Sequence, residues 1–149
     1  MALKLDMSKA YDRIEWVFLE AMLKKLGFEE WWTCFLMKCV TSACYTVVHG
    51  NREMGPIIPS RGIRQGDPLS LYLFILCAKG LSTLLHRYEN GGLIHSCKVA
   101  NGAPHISHML FTDDSYLYCK ATMLEATRVQ EILIKFEVAS GRRLITQNL

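Results

Sequence analysis

His108-Met109-Leu110-Phe111-Thr112-Asp113-Asp114-Ser115-Tyr116-Leu117-Tyr118-Cys119 sets two apolar runs on either side of a pair of adjacent acids. Runs rich in Leu, Phe and Tyr favour strands, so the stretch predicts a short β-hairpin with Asp113 and Asp114 at its turn. The acids need a reason. A tight hairpin turn calls for positive φ, which Asn-Gly or Asp-Gly supplies; Asp-Asp lacks the glycine and adds like-charge repulsion. A divalent cation accounts for the pair, since hard cations take carboxylate oxygens and their charge reverses that repulsion. A solvated surface turn is the alternative, and the pair alone does not decide between them.

Outward from the hairpin, the chain opens on Ala2 to Asp6, where Leu3 and Leu5 alternate with Lys4 and Asp6. That period of two predicts a short strand ending at Asp6, with the acid on the face opposite the leucines. From Asp12 to Leu26 the period becomes helical, with Ile14, Val17, Phe18, Ala21 and Met22 as the apolar stripe and Gly27 as the stop. A second helix is predicted over Glu29 to Val40, its Trp31 and Trp32 serving the core or a docking surface. Ala43 to His49 reads as a strand, with Gly50-Asn51 turning into an extended stretch that ends at Pro59.

A polar loop, Arg61-Gly62-Ile63-Arg64-Gln65-Gly66, then runs into an apolar helix with Asp67 as N-cap and Pro68 at its first position. Leu73, Leu76, Cys77, Gly80, Leu81 and Leu84 form its stripe. Tyr72, Phe74 and Ile75 cover the other side, which predicts burial all round in the N-terminal half. Asn90-Gly91-Gly92 ends it. Ile94 to Val99 reads as a strand, and Asn101-Gly102 turns toward the acidic hairpin. After the hairpin, Thr122-Met123-Leu124-Glu125 is a capping box opening a helix whose stripe is Val129, Ile132, Leu133 and Phe136, closed by Gly141.

Composition sets the bounds. Half of the 149 residues are apolar and 21% are charged, a globular balance in one domain's worth of chain. A net charge of +3 is compatible with a nucleic-acid partner without arguing for one. Six cysteines without a Cys-x-x-Cys pair predict reduced, buried thiols of an intracellular protein. The longest apolar run, Leu69 to Ala78, is about half of a bilayer span, so no membrane partner is expected.

Asp6 and the two hairpin acids meet if their strands pair in one sheet backed by helices on one face. The three carboxylates then converge. With two divalent ions about 3.5 to 4 Å apart, such a cluster becomes the clamp for in-line attack at phosphorus.

Three stretches carry a resemblance. Leu5-Asp6-Met7-Ser8-Lys9-Ala10-Tyr11-Asp12, Arg61-Gly62-Ile63-Arg64-Gln65-Gly66-Asp67-Pro68-Leu69-Ser70 and Phe111-Thr112-Asp113-Asp114 resemble motifs A, B and C of reverse transcriptases. More narrowly, they resemble non-LTR (LINE-type) retrotransposon enzymes abundant in plant genomes. The resemblance covers nearly the whole chain, with the motifs in order. It implies an α+β palm, a small antiparallel sheet backed by helices on one face, and RNA-directed DNA polymerisation. The partners implied are an RNA template, a DNA primer and dNTP, with two Mg²⁺ ions, or Mn²⁺, as cofactor.

Residue by residue, the resemblance implies that Asp6 and Asp113 are the principal metal ligands and catalytic acids. Asp114 would stand beside them, less directly bonded, and the backbone carbonyl of Met7 would complete the second ion's shell. Tyr11 falls at the steric-gate position against a ribose 2′-hydroxyl. Gln65 and Gly66 match the segment lining the nucleotide pocket and contacting the template, and Arg61 and Arg64 are candidates for phosphate contacts. On their residue types alone, Tyr11 also suits a core role and the arginines a solvated one.

The departures are equally specific. Thr112 replaces an alanine before the acid pair. Leu71 stands where a proline would start the helix, which predicts a softer loop around Gln65. Arg142 to Leu149 lack the lysine of motif D. Fingers segments, thumb and endonuclease are not in the sequence, so residues 1–149 are expected to be a partial reverse transcriptase domain, inactive on its own. A catalytically dead pseudogene product and an interaction or RNA-binding remnant are the competing readings.

Overall fold

The computed structural model describes residues 1–98, 100–111, 114–141 and 143–148. Among them the elements run in the order β1 (Ala2–Ser8), α1 (Trp16–Lys25), α2 (Glu30–Thr41), β2 (Tyr45–His49), β3 (Arg52–Ile57), α3 (Pro68–Asn90), β4 (Cys97–Lys98), β5 (His105–Ile106), β6 (His108–Phe111), β7 (Asp114–Tyr118), α4 (Met123–Ser140) and β8 (Arg143–Asn148). Val99, Thr112, Asp113, Arg142 and Leu149 lie outside the described residues.

The period-two pattern at the N-terminus does what it predicts. Leu3, Leu5 and Met7 are buried, while Lys4 and Asp6 are half-buried on the other face of β1. β1 forms the middle of an antiparallel sheet of order β6-β7-β1-β8. Its buried side joins α1, α3 and α4 in one core built from Leu5, Leu19, Leu23, Leu73, Phe74, Leu81, Leu117, Ile132 and Phe136. The α+β architecture, with helices on one face of the sheet, is the one expected.

Several elements differ from the sequence reading. β1 runs two residues past Asp6, because Met7 continues the buried alternation and pairs with Leu144 of β8. Strand β8 extends the sheet beyond the expected pairing of the Asp6 strand with the hairpin. Asp114 opens β7, paired with both Phe111 and Asp6, so it belongs to a strand and not to the turn.

Helix α1 begins at Trp16, not Asp12. The preceding backbone is committed elsewhere: the carbonyls of Tyr11 and Ile14 accept from Ile63 and Gly62, and the amide of Glu15 donates to Ser140. The buried stripe of α1 is Leu19, Met22 and Leu23, whereas Val17 is 80% exposed. Packing against α3 sets that phase: a Cβ on Gly80 would lie 3.1 Å from the Phe18 ring and 3.3 Å from the Met22 sulfur.

Asp67 caps α3 as expected, its carboxylate accepting from the amide of Leu69 at 2.8 Å with Pro68 next in line. Leu71 therefore sits inside the first turn and the helix start does not depend on a proline there. The N-terminal half of α3 is not buried all round, since Leu71, Tyr72 and Ile75 are exposed. By length and composition this helix of 23 residues suffices to cross a bilayer, which the shorter apolar run did not predict. Leu73, Phe74, Cys77, Ala78, Leu81 and Leu85 pack it into the core.

The capping box is half formed. Thr122 Oγ1 accepts from the Glu125 amide at 3.3 Å, but Glu125 turns inward and accepts from the amides of Lys120 and His95. Of the expected strand over Ile94 to Val99, whose last residue lies outside the described residues, Cys97–Lys98 is extended and Ile94 to Ser96 are not. Cys34, Cys39 and Cys44 are exposed instead of buried: the first two lie on an uncovered face of α2, and Cys44 lies just before β2. Trp31 and Trp32 are also exposed and take no part in the core.

Candidate active site

Two groups of sequence-predicted residues emerge, joined through the segment after β1. The first is on the open face of the sheet. Asp6 and Asp114 are direct partners across the β1–β7 pair. Opposed residues in an antiparallel pair project to the same face with Cβ atoms about 4.5 to 5.5 Å apart. The two carboxylates thus share one face, opposite the buried Leu5 and Ser115. Asp113, expected as the other principal acid, lies outside the described residues.

Lys4 occupies the same face two residues before Asp6, and its Nζ is 3.1 Å from Asp114 Oδ1. The bond with Asp114, and then that residue's charge, hold the Lys4 ammonium above its ordinary pKa; Asp6 adds a smaller push in the same direction. Among the described residues no hydrogen bond or ion pair engages the Asp6 carboxylate.

The second group lies on the 61–66 loop, which is fastened to the turn before α1. Gly62 donates its amide to the Ile14 carbonyl at 2.8 Å, Ile63 to the Tyr11 carbonyl at 2.9 Å, and Trp16 Nε1 to the Gly62 carbonyl at 2.7 Å. Gly62 has φ +86°, and a Cβ there would meet the Asp12 carbonyl oxygen at 2.7 Å, so only glycine fits this crossing. The loop borders a cavity of about 450 Å³ lined by Asp12, Trp16, Tyr45, Arg61, Arg64 and Gln65, among others. Gly66, exposed at φ +88°, follows directly. Arg61 pairs with Glu15 at 3.5 Å across largely exposed side chains, a weak tie that leaves the guanidinium available.

Tyr11 belongs to neither group. Its half-buried ring stacks on Phe74 of α3 with centroids 4.9 Å apart and planes at 19°, while its carbonyl holds the loop at Ile63. Met7 buries its side chain one residue beyond Asp6.

The donor set suits a hard cation. Two carboxylates face each other, half-exposed, on a surface that water and ions reach. No group of three or more His, Cys, Asp or Glu side chains converges among the described residues. Lys4, Trp16 and Gly62 received no role from the sequence. For Lys4 the signal was present, since the alternation that exposed Asp6 puts Lys4 beside it; the Trp16 bond spans 46 residues and left no local trace.

A four-stranded antiparallel sheet with opposed acids on its open face and helices behind it defines a polymerase-type palm. The chain matches the reverse transcriptase (RNA-dependent DNA polymerase) family over residues 1–144, and it belongs to that family. Divalent-metal use is general to the family.

Among relatives, an uncharacterized mitochondrial protein of Arabidopsis thaliana is 52% identical over 61 residues, covering 41% of this chain and 50% of that protein. The retrovirus-related Pol polyprotein from type-1 retrotransposable element R2 of Popillia japonica is 30% identical over 114 residues, 76% of this chain and 18% of the polyprotein. The chain thus spans half or less of these relatives. Among solved structures, apo telomerase from Candida tropicalis, truncated from its C-terminal domain, superposes with a TM-score of 0.61 over 99% of this chain and 31% of its own. Telomerase from Candida albicans, in complex with a TWJ fragment of telomeric RNA, gives 0.55 over 99% and 26%. Both are 14% identical, a likeness of fold.

Proposed function

We propose that residues 1–149 form the catalytic palm of a non-LTR retrotransposon reverse transcriptase, which adds dNTPs to a DNA primer on an RNA template. The register that sets Asp6 directly against Asp114 on the open face of the sheet carries this reading. Membership of the family and similarity to a retrotransposon polyprotein supply its chemistry. The telomeric RNA fragment in complex with the Candida albicans telomerase is in keeping with an RNA partner.

In this reading Asp6 and Asp113 would hold Mg²⁺, as two ions or replaced by Mn²⁺, with Asp114 beside them, less directly bonded, and the Met7 carbonyl as a further ligand. The metal supplies Lewis acidity to the attacking primer hydroxyl and the departing pyrophosphate. Arg61 and Arg64 bind phosphate oxygens through charge-assisted hydrogen bonds. Gln65 and Gly66 border the nucleotide and template. Tyr11, its ring backed by Phe74, closes the space a 2′-hydroxyl needs. A palm alone does not grip a primer–template duplex, so the 149 residues act within a larger enzyme.

The test replaces the matching segment of the Popillia japonica R2 polyprotein with these residues and measures RNA-templated primer extension. Extension that disappears in Asp6→Asn supports the reading. A folded chimera whose extension is unchanged by Asp6→Asn refutes it.

A further inference from the structure

Lys4 is diagonal to Asp114 across the β1–β7 pair, since Lys4 faces Tyr116 and Asp6 faces Asp114. A long side chain spans that diagonal. Lysine at this place has three consequences. It occupies one oxygen of Asp114 at 3.1 Å. It neutralises one of two opposed carboxylates, which lowers their mutual repulsion without any ion. And it leaves Asp6, whose carboxylate has no partner among the described residues, as the open acid of the pair.

Resting on the polymerase reading above, we propose that Lys4 is a positioning residue of the acid site: its ion pair withholds Asp114 from an incoming divalent cation, so that Asp6 ligates and Asp114 does not. A merely structural cross-strand pair makes a different prediction for metal binding. If Lys4 only contributes charge and packing, deleting Asp114 costs the same ion affinity whether or not Lys4 is present. If Lys4 restrains Asp114, removing Lys4 releases a new ligand, and deleting Asp114 then costs more. The two effects are separated by a double-mutant cycle.

The experiment titrates Mn²⁺ into the purified 149-residue chain at low ionic strength, where screening is small, and reads free Mn²⁺ by electron paramagnetic resonance. Lys4→Met keeps the apolar stem and removes the charge. It tightens Mn²⁺ binding by roughly three- to tenfold, the scale set by removing one like charge near the ion. Lys4→Arg retains wild-type affinity. Asp114→Asn weakens binding several-fold more in the Lys4→Met background than in wild type, and circular dichroism melts confirm that each variant folds.

Equal Asp114→Asn penalties in the two backgrounds overturn the role of Lys4 while leaving the polymerase reading intact. Mn²⁺ binding that is absent, or unaffected by Asp6→Asn, overturns both.

Discussion

Trp16 in α1 donates its indole N–H to the carbonyl of Gly62 at 2.7 Å, and together with the Gly62 and Ile63 amides this bond ties the loop bearing Arg61, Arg64 and Gln65 to the segment that follows Asp6. The tie links the two halves of the site. Trp16→Phe keeps the ring and deletes the donor, so it lowers unfolding free energy by about 1 kcal/mol in urea melts. Unchanged stability would mean that the loop is held by the Gly62 and Ile63 amides alone.

Two glycines of that loop separate crowding from backbone strain. At Gly62 a methyl meets the Asp12 carbonyl at 2.7 Å, whereas at Gly66 nothing lies within 4 Å. Both have positive φ, which costs a side chain about 1 to 2 kcal/mol. Gly66→Ala therefore loses only that amount, and Gly62→Ala loses more because backbone must move. Thermal melts of the two variants rank them, and the reverse order would contradict the crossing described.

Tyr11 stacks on Phe74, and such pairs contribute about 0.5 to 1.5 kcal/mol beyond the area they bury. In the R2 chimera, Tyr11→Ala raises ribonucleotide incorporation relative to deoxyribonucleotide, while Tyr11→Phe preserves discrimination. A stability loss in Tyr11→Ala with unchanged sugar selection would assign the ring to the core alone.

Glu125 gives the fold an acid limit. Burial is the largest single influence on its carboxyl and favours the neutral form, but the backbone and ring bonds from His95 and the Lys120 amide together outweigh it and hold the pKa below the usual carboxylate value. A depressed folded pKa stabilises the protein above the unfolded value and is lost as pH falls through the folded one. Denaturation midpoints accordingly drop on the acid side of the ordinary carboxylate range. Glu125→Gln is less stable at neutral pH and shows a shallower acid dependence.

The surface of α2 predicts poor solubility for the chain alone. Trp31, Trp32 and Phe35 pack against one another yet are 65%, 49% and 48% exposed, and β2–β3 is exposed along its length. Trp31→Glu reduces aggregation measured by light scattering and shifts stability by no more than about 0.5 kcal/mol.

Wherever local pattern and tertiary packing agree, the fold was legible in the sequence. The alternation in β1, the Asp67 cap and the Val129-Ile132-Leu133-Phe136 stripe each contain their own signal. Strand β8 exists through pairing with β1, some 140 residues away, and its short Leu-Ile-Thr run is weak by itself. The start of α1 is not legible in the sequence because the Tyr11 and Ile14 carbonyls and the Glu15 amide bond to distant partners that no helical period reveals. At the site, the residue types of Asp6 and Asp114 pointed to a cation, and the register that opposes them came from folding. The phase of α1 and the exposure of Leu71, Tyr72 and Ile75 depend on which faces the neighbouring elements cover.

Isolated from any larger enzyme, the chain is expected not to extend a primer. Positioning of reactants accounts for roughly 7 to 11 kcal/mol of a barrier, and a palm does not supply the grip on duplex and nucleotide that provides it. Mg²⁺-dependent primer extension on an RNA template is the assay; robust extension by the purified chain, abolished by Asp113→Asn, contradicts this expectation.

Asp6, on the open face of β1, serves the chemical step and not merely nucleotide binding. Single-nucleotide incorporation by the R2 chimera, measured under pre-steady-state conditions, separates the two. Asp6→Asn is expected to lower the maximal incorporation rate on the order of a thousandfold, the scale of losing a major electrostatic contribution to a transition state, while the apparent dNTP affinity changes by only a few-fold. An unchanged maximal rate with weakened dNTP affinity would contradict it.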